Sequence, residues 1–183
     1  DAQSMRVSLL GATAPGFDRP LEVLEACHGR IAKQCDTLDR LVAYLPAHGA
    51  DAHAQQAAWA VRAYFDSAAV HHHDDEERNL FPLLEQAGAA GACDLVENLT
   101  LEHDELARLW RHLRMDLQQI GTGAAATLDA ALTRRFVSLN RGHLEFENAH
   151  VLPLARQVLG AAAVECLGRA MAARRGVPFA AKP

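Results

Sequence analysis

Apolar residues recur at alternating steps of three and four in four separate segments of the chain, and almost nowhere at steps of two. That periodicity belongs to helices that bury one stripe, so an all-α class is predicted. One stripe runs through Leu24, His28, Ile31, Cys35, Leu38, Val42 and Leu45, on a helix expected from about Leu21 to Leu45 behind Pro20. A second follows Asp51, a suitable cap, with Val61, Phe65, Ala68, His72 and Glu76 on one face until Pro82 bends or ends it. The third is expected to open at Asp94, with Glu97 at capping-box spacing, and carries Val96, Leu99, His103, Leu106, Trp110, Leu113 and Leu117. The fourth, from about Leu128, carries Leu132, Phe136, Leu139, His143, Glu147, His150 and Leu154, with Pro153 placed as Pro82 was. Short loops join these long segments. An up-and-down antiparallel four-helix bundle over residues 21–160 is therefore expected. Residues 1–20 read as an N-terminal extension, in which Met5 is a candidate natural start and a cleaved leader remains open. Residues 161–183 read as a short fifth helix stopping at Gly176, followed by a tail.

The stripes carry side chains that an apolar seam does not need. His72xxxGlu76xxxxxPro82 recurs as His143xxxGlu147xxxxxPro153, and each copy is preceded, 44 and 40 residues earlier, by a lone histidine on the previous helix, His28 and His103. Four imidazoles and two carboxylates thus converge on the expected axis. No lysine or arginine shares those stripes, and buried carboxylates are costly unless paired or coordinated. A metal site built from His28, His72, Glu76, His103, His143 and Glu147 is the reading that removes the cost. Imidazole mixed with carboxylate suits iron, manganese or zinc better than calcium or magnesium. Two carboxylates able to bridge suggest two metals, with iron the usual occupant and zinc left open by spacing alone. Within the run "HHHDDEERNLFP", His72 and Glu76 share the inward face. His71, His73 and Glu77 are expected to meet water. Glu102, about 100° around the helix from His103, is expected at the surface or as a supporting partner.

These motifs, with the trailing "LFP" and "VLP", resemble the hemerythrin-like family and its HHE cation-binding domain over about Leu21 to Leu159. The resemblance implies a four-helix bundle around a non-haem di-iron centre, bridged by two carboxylates and a solvent oxygen. By position, His28, His72, His103 and His143 become terminal ligands and Glu76 and Glu147 the bridges. The oxygen-carrying members differ at two places. Their third helix supplies HxxxH where this chain has Leu99, and their fourth supplies HxxxxD where this chain has HxxxE. A fifth histidine is then missing, which implies more open coordination and a sensor or scavenger sooner than a carrier. His150, two turns beyond His143, is the residue on hand to substitute or support.

Function is read as binding before catalysis: two iron ions holding or sensing dioxygen, another small diatomic, or iron itself. A ferritin-like oxidase or peroxidase is the enzymatic alternative, since Glu25xxHis28 and Glu147xxHis150 fit ExxH. A zinc-binding structural bundle is the third. The net charge of −5 and the lack of a basic cluster argue against nucleic acid. No run approaches the roughly 18 apolar residues of a membrane span. Four scattered cysteines without CxxC spacing suit free thiols in the cytoplasm.

Overall fold

A computed structural model describes residues 14–180 of the chain. Most of the expected N-terminal extension, Met5 included, and the last three residues lie outside them. Every regular element among the described residues is a helix, with no strand among them. Helix α1 spans Pro20–His48, α2 Ala52–Phe65, α3 Ala68–Asp75 and α4 Phe81–Gln86. After a short connection come α5, Ala92–Gly121, α6, Ala130–Phe146, α7, Leu152–Val158, and α8, Ala161–Arg174. Packing runs in a closed cycle: α1 on α2, α2 on α5, α5 on α6, and α6 back on α1.

Local chemistry sets most of the boundaries. Asp51 accepts the Ala54 amide at 2.9 Å and the Tyr44 hydroxyl at 2.8 Å, tying the start of α2 to the end of α1. Asp129 accepts the Ala131 and Leu132 amides, each at 2.9 Å, and opens α6. The expected capping box at Asp94 does not form. Helix α5 begins two residues earlier, behind Gly91 at φ 75°, a left-handed turn that seats Ala92 in the core and leaves Asp94 within the first turn.

The second periodic segment is not one helix that stops at Pro82 but three pieces. A break at Asp66–Ser67, where Trp110 Nε1 and Arg114 donate to the Asp66 carboxylate, separates α2 from α3. Beyond α3 the chain widens into a π turn, Glu76–Leu80, and only then continues as α4. An identical device, Glu147–Val151, follows α6. Each π turn starts at the motif glutamate, and each proline lies second in the helix that follows. Proline has no amide to give and its ring crowds the carbonyl four residues back. Widening the turn moves that carbonyl aside, so the helix passes the proline instead of ending there.

Two apolar clusters fill the interior. One contains Ile31, Leu38, Phe65, Leu106, Leu113 and Phe136, the other Leu24, Leu80, Phe81, Leu99, Leu152 and Met171. Burying each such side chain contributes about 1.5–3 kcal/mol. Along every long segment the histidines and glutamates fall at the junction of the two, as His28 does between Cys27 and Ile31, and His103 between Leu99 and Leu106. Helix α8 covers the second cluster with Leu167 and Met171. It also reaches α3: Arg174 and Arg175 both donate to Asp75, which is fully buried, and Arg174 donates to Asn79 at 2.7 Å.

Candidate metal centre

Every side chain of the doubled motif is buried: His28, His72, His103 and His143, with Glu76 and Glu147, each expose 3 % or less. They form two overlapping groups, in each of which one donor atom per residue lies within 4.8 Å of the others. His28, His72, Glu76 and Glu147 make one; Glu76, His103, His143 and Glu147 make the other. The carboxylates are common to both.

How they are shared follows from which oxygen faces which ring. Glu76 Oε1 lies 3.3 Å from His72 Nε2 and 3.7 Å from His28 Nε2, while its Oε2 lies 3.5 Å from His103 Nε2. Glu147 divides in the same way, with Oε2 3.2 Å from His28 Nε2 and Oε1 3.3 Å from His143 Nε2. Each glutamate therefore extends one oxygen toward each pair of imidazoles. Many of these approaches lack hydrogen-bond geometry. His28 Nε2, both ring nitrogens of His72, Glu76 Oε2 and both oxygens of Glu147 are buried without a hydrogen-bond partner. Unsatisfied buried polar atoms cost about 1–3 kcal/mol each, so the five that face the centre, one nitrogen of each ring and the three carboxylate oxygens, call for a common partner. A cation fits that set of lone pairs.

The outward nitrogens are held. His28 Nδ1 donates to Asn148 Oδ1 at 2.6 Å, His103 Nδ1 to Glu77 Oε1 at 2.7 Å, and His143 Nδ1 to Glu102 Oε2 at 2.7 Å. Oxygen of an amide or carboxylate can only accept, so the proton sits on Nδ1 and the lone pair of each neutral ring is on Nε2, facing inward. His103 Nε2 and His143 Nε2 are 3.0 Å apart, a spacing that needs a proton or a cation between two lone pairs.

Without a metal, protons take that role. Burial pushes the His28 imidazole down, but Glu147 and Glu76 outweigh it and carry its pKa up to about 10. His143 behaves likewise, burial opposed by Glu147 and Glu102, and reaches about 9. Burial, followed by the facing Glu147 carboxylate, raises Glu76 to about 7. For Glu147 burial is overcome by His143 and His28, which hold it well below the usual carboxylate range. His72 is driven well below 6.5 by burial and by the imidazoles around it.

One residue of the opening run is not where the sequence put it, and an exposed neighbour does more than expected. His73 was expected in water. It is half-buried, its ring stacked on that of His103 at 3.9 Å, and a ring nitrogen lies within 4.8 Å of donor atoms of both His103 and His143. Glu77, expected to be idle, holds His103. Glu102 lies part-exposed and supports a histidine, His143 of α6, as a surface or supporting residue was expected to. The signal that could have found His73 is the break at Asp66–Ser67, which lets a short α3 lie between α1 and α5 and show one flank to each. His150 is exposed and bonded to its own helix at Phe146 O. Glu25 is exposed and paired with Arg156 at 2.7 Å, so neither ExxH motif is assembled. Leu99, where carriers place a histidine, is buried in the second apolar cluster.

A cavity of about 90 Å³ adjoins His73, walled by Ile31, Phe65, Leu106 and Phe136. No helix among the described residues is long and apolar enough to cross a membrane.

Residues 19–155 match the family described as "Hemerythrin HHE cation binding domain". An uncharacterized protein of Haemophilus influenzae is 30% identical over 161 residues, a stretch that covers 88% of this chain and 92% of that protein.

Proposed function

The chain belongs to the hemerythrin HHE cation-binding domain family, and from that premise we propose that its buried donors hold two irons and that the centre takes up dioxygen or another small diatomic. The observation that carries this reading is the division of each carboxylate, one oxygen to His28 or His72, the other to His103 or His143. A single ion needs no such division. Two irons, when bound, supply a redox pair able to give electrons to a small ligand. The protein's own part is to aim the Nε2 lone pairs of His28, His103 and His143 inward through Asn148, Glu77 and Glu102, and to exclude water with an apolar cluster on each side. The cavity beside His73 has room for a diatomic and walls that suit an apolar one.

The cycle of contacts among α1, α2, α5 and α6 supports an up-and-down four-helix bundle over residues 21–160, with residues 161–183 appended and residues 1–20 as an extension. Free thiols at Cys27, Cys35, Cys93 and Cys166 suit a reducing compartment, and the cytoplasm is our assignment. The ferritin-like alternative loses support from the exposure of Glu25 and His150.

Anaerobic purification, metal analysis and an ultraviolet-visible spectrum test the reading. Two irons per chain are expected, with charge-transfer bands in the near ultraviolet after oxidation. His72→Ala and Glu76→Ala should each lose metal, and His150→Ala should keep both. One zinc per chain, with no such band after iron reconstitution, overturns the di-iron assignment in favour of a structural bundle.

A further inference from the structure

We propose that His73 is a fifth imidazole donor, serving the position formed by His103 and His143, so that the two metal positions are unequal. The inference rests on the two-metal reading above. Its first ground is distance: ring nitrogens of His73, His103 and His143 lie within 4.8 Å of one another, a triad that adds His73 to the two histidines of one glutamate-sharing group. The second ground is placement. Adjacent helical residues diverge by about 100°, so His72 and His73 cannot serve the same position. His72 turns to α1, with its ring 4.9 Å from that of His28, while His73 turns to α5 and lies against His103. One short helix thus supplies an imidazole to each side.

The ring of His73 lies nearly parallel to that of His103, at 16°, and must rotate about its Cβ–Cγ bond to aim a nitrogen at a shared ion. The cavity bounded by Phe65, Leu106 and Phe136 lies against the ring and gives it that room. A well-packed interior would not. The His28 and His72 position then has two imidazoles and a share of two carboxylates, and the His103 and His143 position has three imidazoles and the same share. Fewer protein donors at the first position direct an incoming small ligand there. Leu99 does not leave the second position short of an imidazole.

Azide is the probe, titrated into the oxidised, iron-loaded protein and followed by calorimetry and absorbance, with Mössbauer spectra recorded on iron-57 samples. The wild type should bind one azide per pair of irons and show two unequal quadrupole doublets. His73→Ala should bind two, with the doublets drawn together, and added imidazole should restore one azide per pair. His73→Gln, closer in size, serves if the alanine variant does not fold, with the same expected stoichiometry. A wild type with two irons but one doublet, or a variant that keeps two irons and the wild-type azide stoichiometry, overturns the role of His73 alone. Fewer than two metals in the wild type overturns the two-metal reading, and this inference with it.

Discussion

At the scale of the residue, the centre depends on oxygens that would never touch a metal. Glu77 and Glu102 each fix one imidazole by accepting its Nδ1 proton at 2.7 Å. Both carboxylates are part-exposed, so removing their charge leaves no buried group orphaned and little folding stability is at risk. Orientation and basicity of the ring are what change. Glu77→Gln or Glu102→Gln should weaken metal affinity by roughly 10–100-fold while the metal-free melting temperature stays within a degree or two. Competition against a chelator of known affinity measures the first and calorimetry the second. Unchanged affinity in both variants would show that the rings are fixed by packing alone. The burial and convergence of the six motif residues were legible in sequence because a carboxylate or imidazole on an apolar stripe has no cheap alternative. Glu77 and His73 were not legible, because they are partners across helices, and a helical wheel drawn on one straight segment cannot show a neighbour 26 or more residues away.

Among the elements, α3 is the piece under most constraint. It carries His72 and His73, is cut from α2 by the break at Asp66–Ser67, and is held from outside by α8 through Asp75. Asp75 is fully buried and balanced by two guanidiniums. Asp75→Ala leaves both arginines facing an apolar interior without their partner, and losing one side of a buried ion pair costs about 3–5 kcal/mol. The variant should unfold at lower denaturant and release metal faster, since the strip that frays first bears two imidazoles. A midpoint within error of the wild type would mean that water enters and compensates. Helix existence was legible from periodicity; the π turns were not. They require the proline ring and the buried glutamate six residues before it, and only the repetition of that spacing in the two halves marked it as structural.

For the whole molecule, protons and metal compete for one interior, and the sign of the competition can be worked out. His28 and His143 have folded pKa values of about 10 and about 9, above the usual 6.5, so their stabilisation of the metal-free fold is complete below about pH 6.5 and is lost as pH rises through 9 to 10. Glu76, raised to about 7, adds a cost that grows from about pH 4.5 to 7. Glu147 is depressed, so its contribution holds above its usual pKa and fails only in stronger acid. The metal-free protein should therefore be most stable in mild acid and soften toward pH 9. Metal must displace those protons, so its stabilising effect should grow over the same range. Calorimetry at about pH 6, 7.5 and 9, with and without metal, checks this; a metal-induced rise in melting temperature that is flat with pH would contradict it. The grouping of donors has a consequence of another kind. His28 and His72 come from the chain before residue 87 and His103 and His143 from the chain after residue 91, while the two glutamates and His73 cross between them. Each half holds two of the four motif histidines, one HxxxE motif and one π turn, so the two halves are built to one plan. A chain severed between residues 87 and 91 should accordingly behave as two parts that the shared donors join, its fragments, co-expressed, pairing one to one when iron is supplied and drifting apart in its absence.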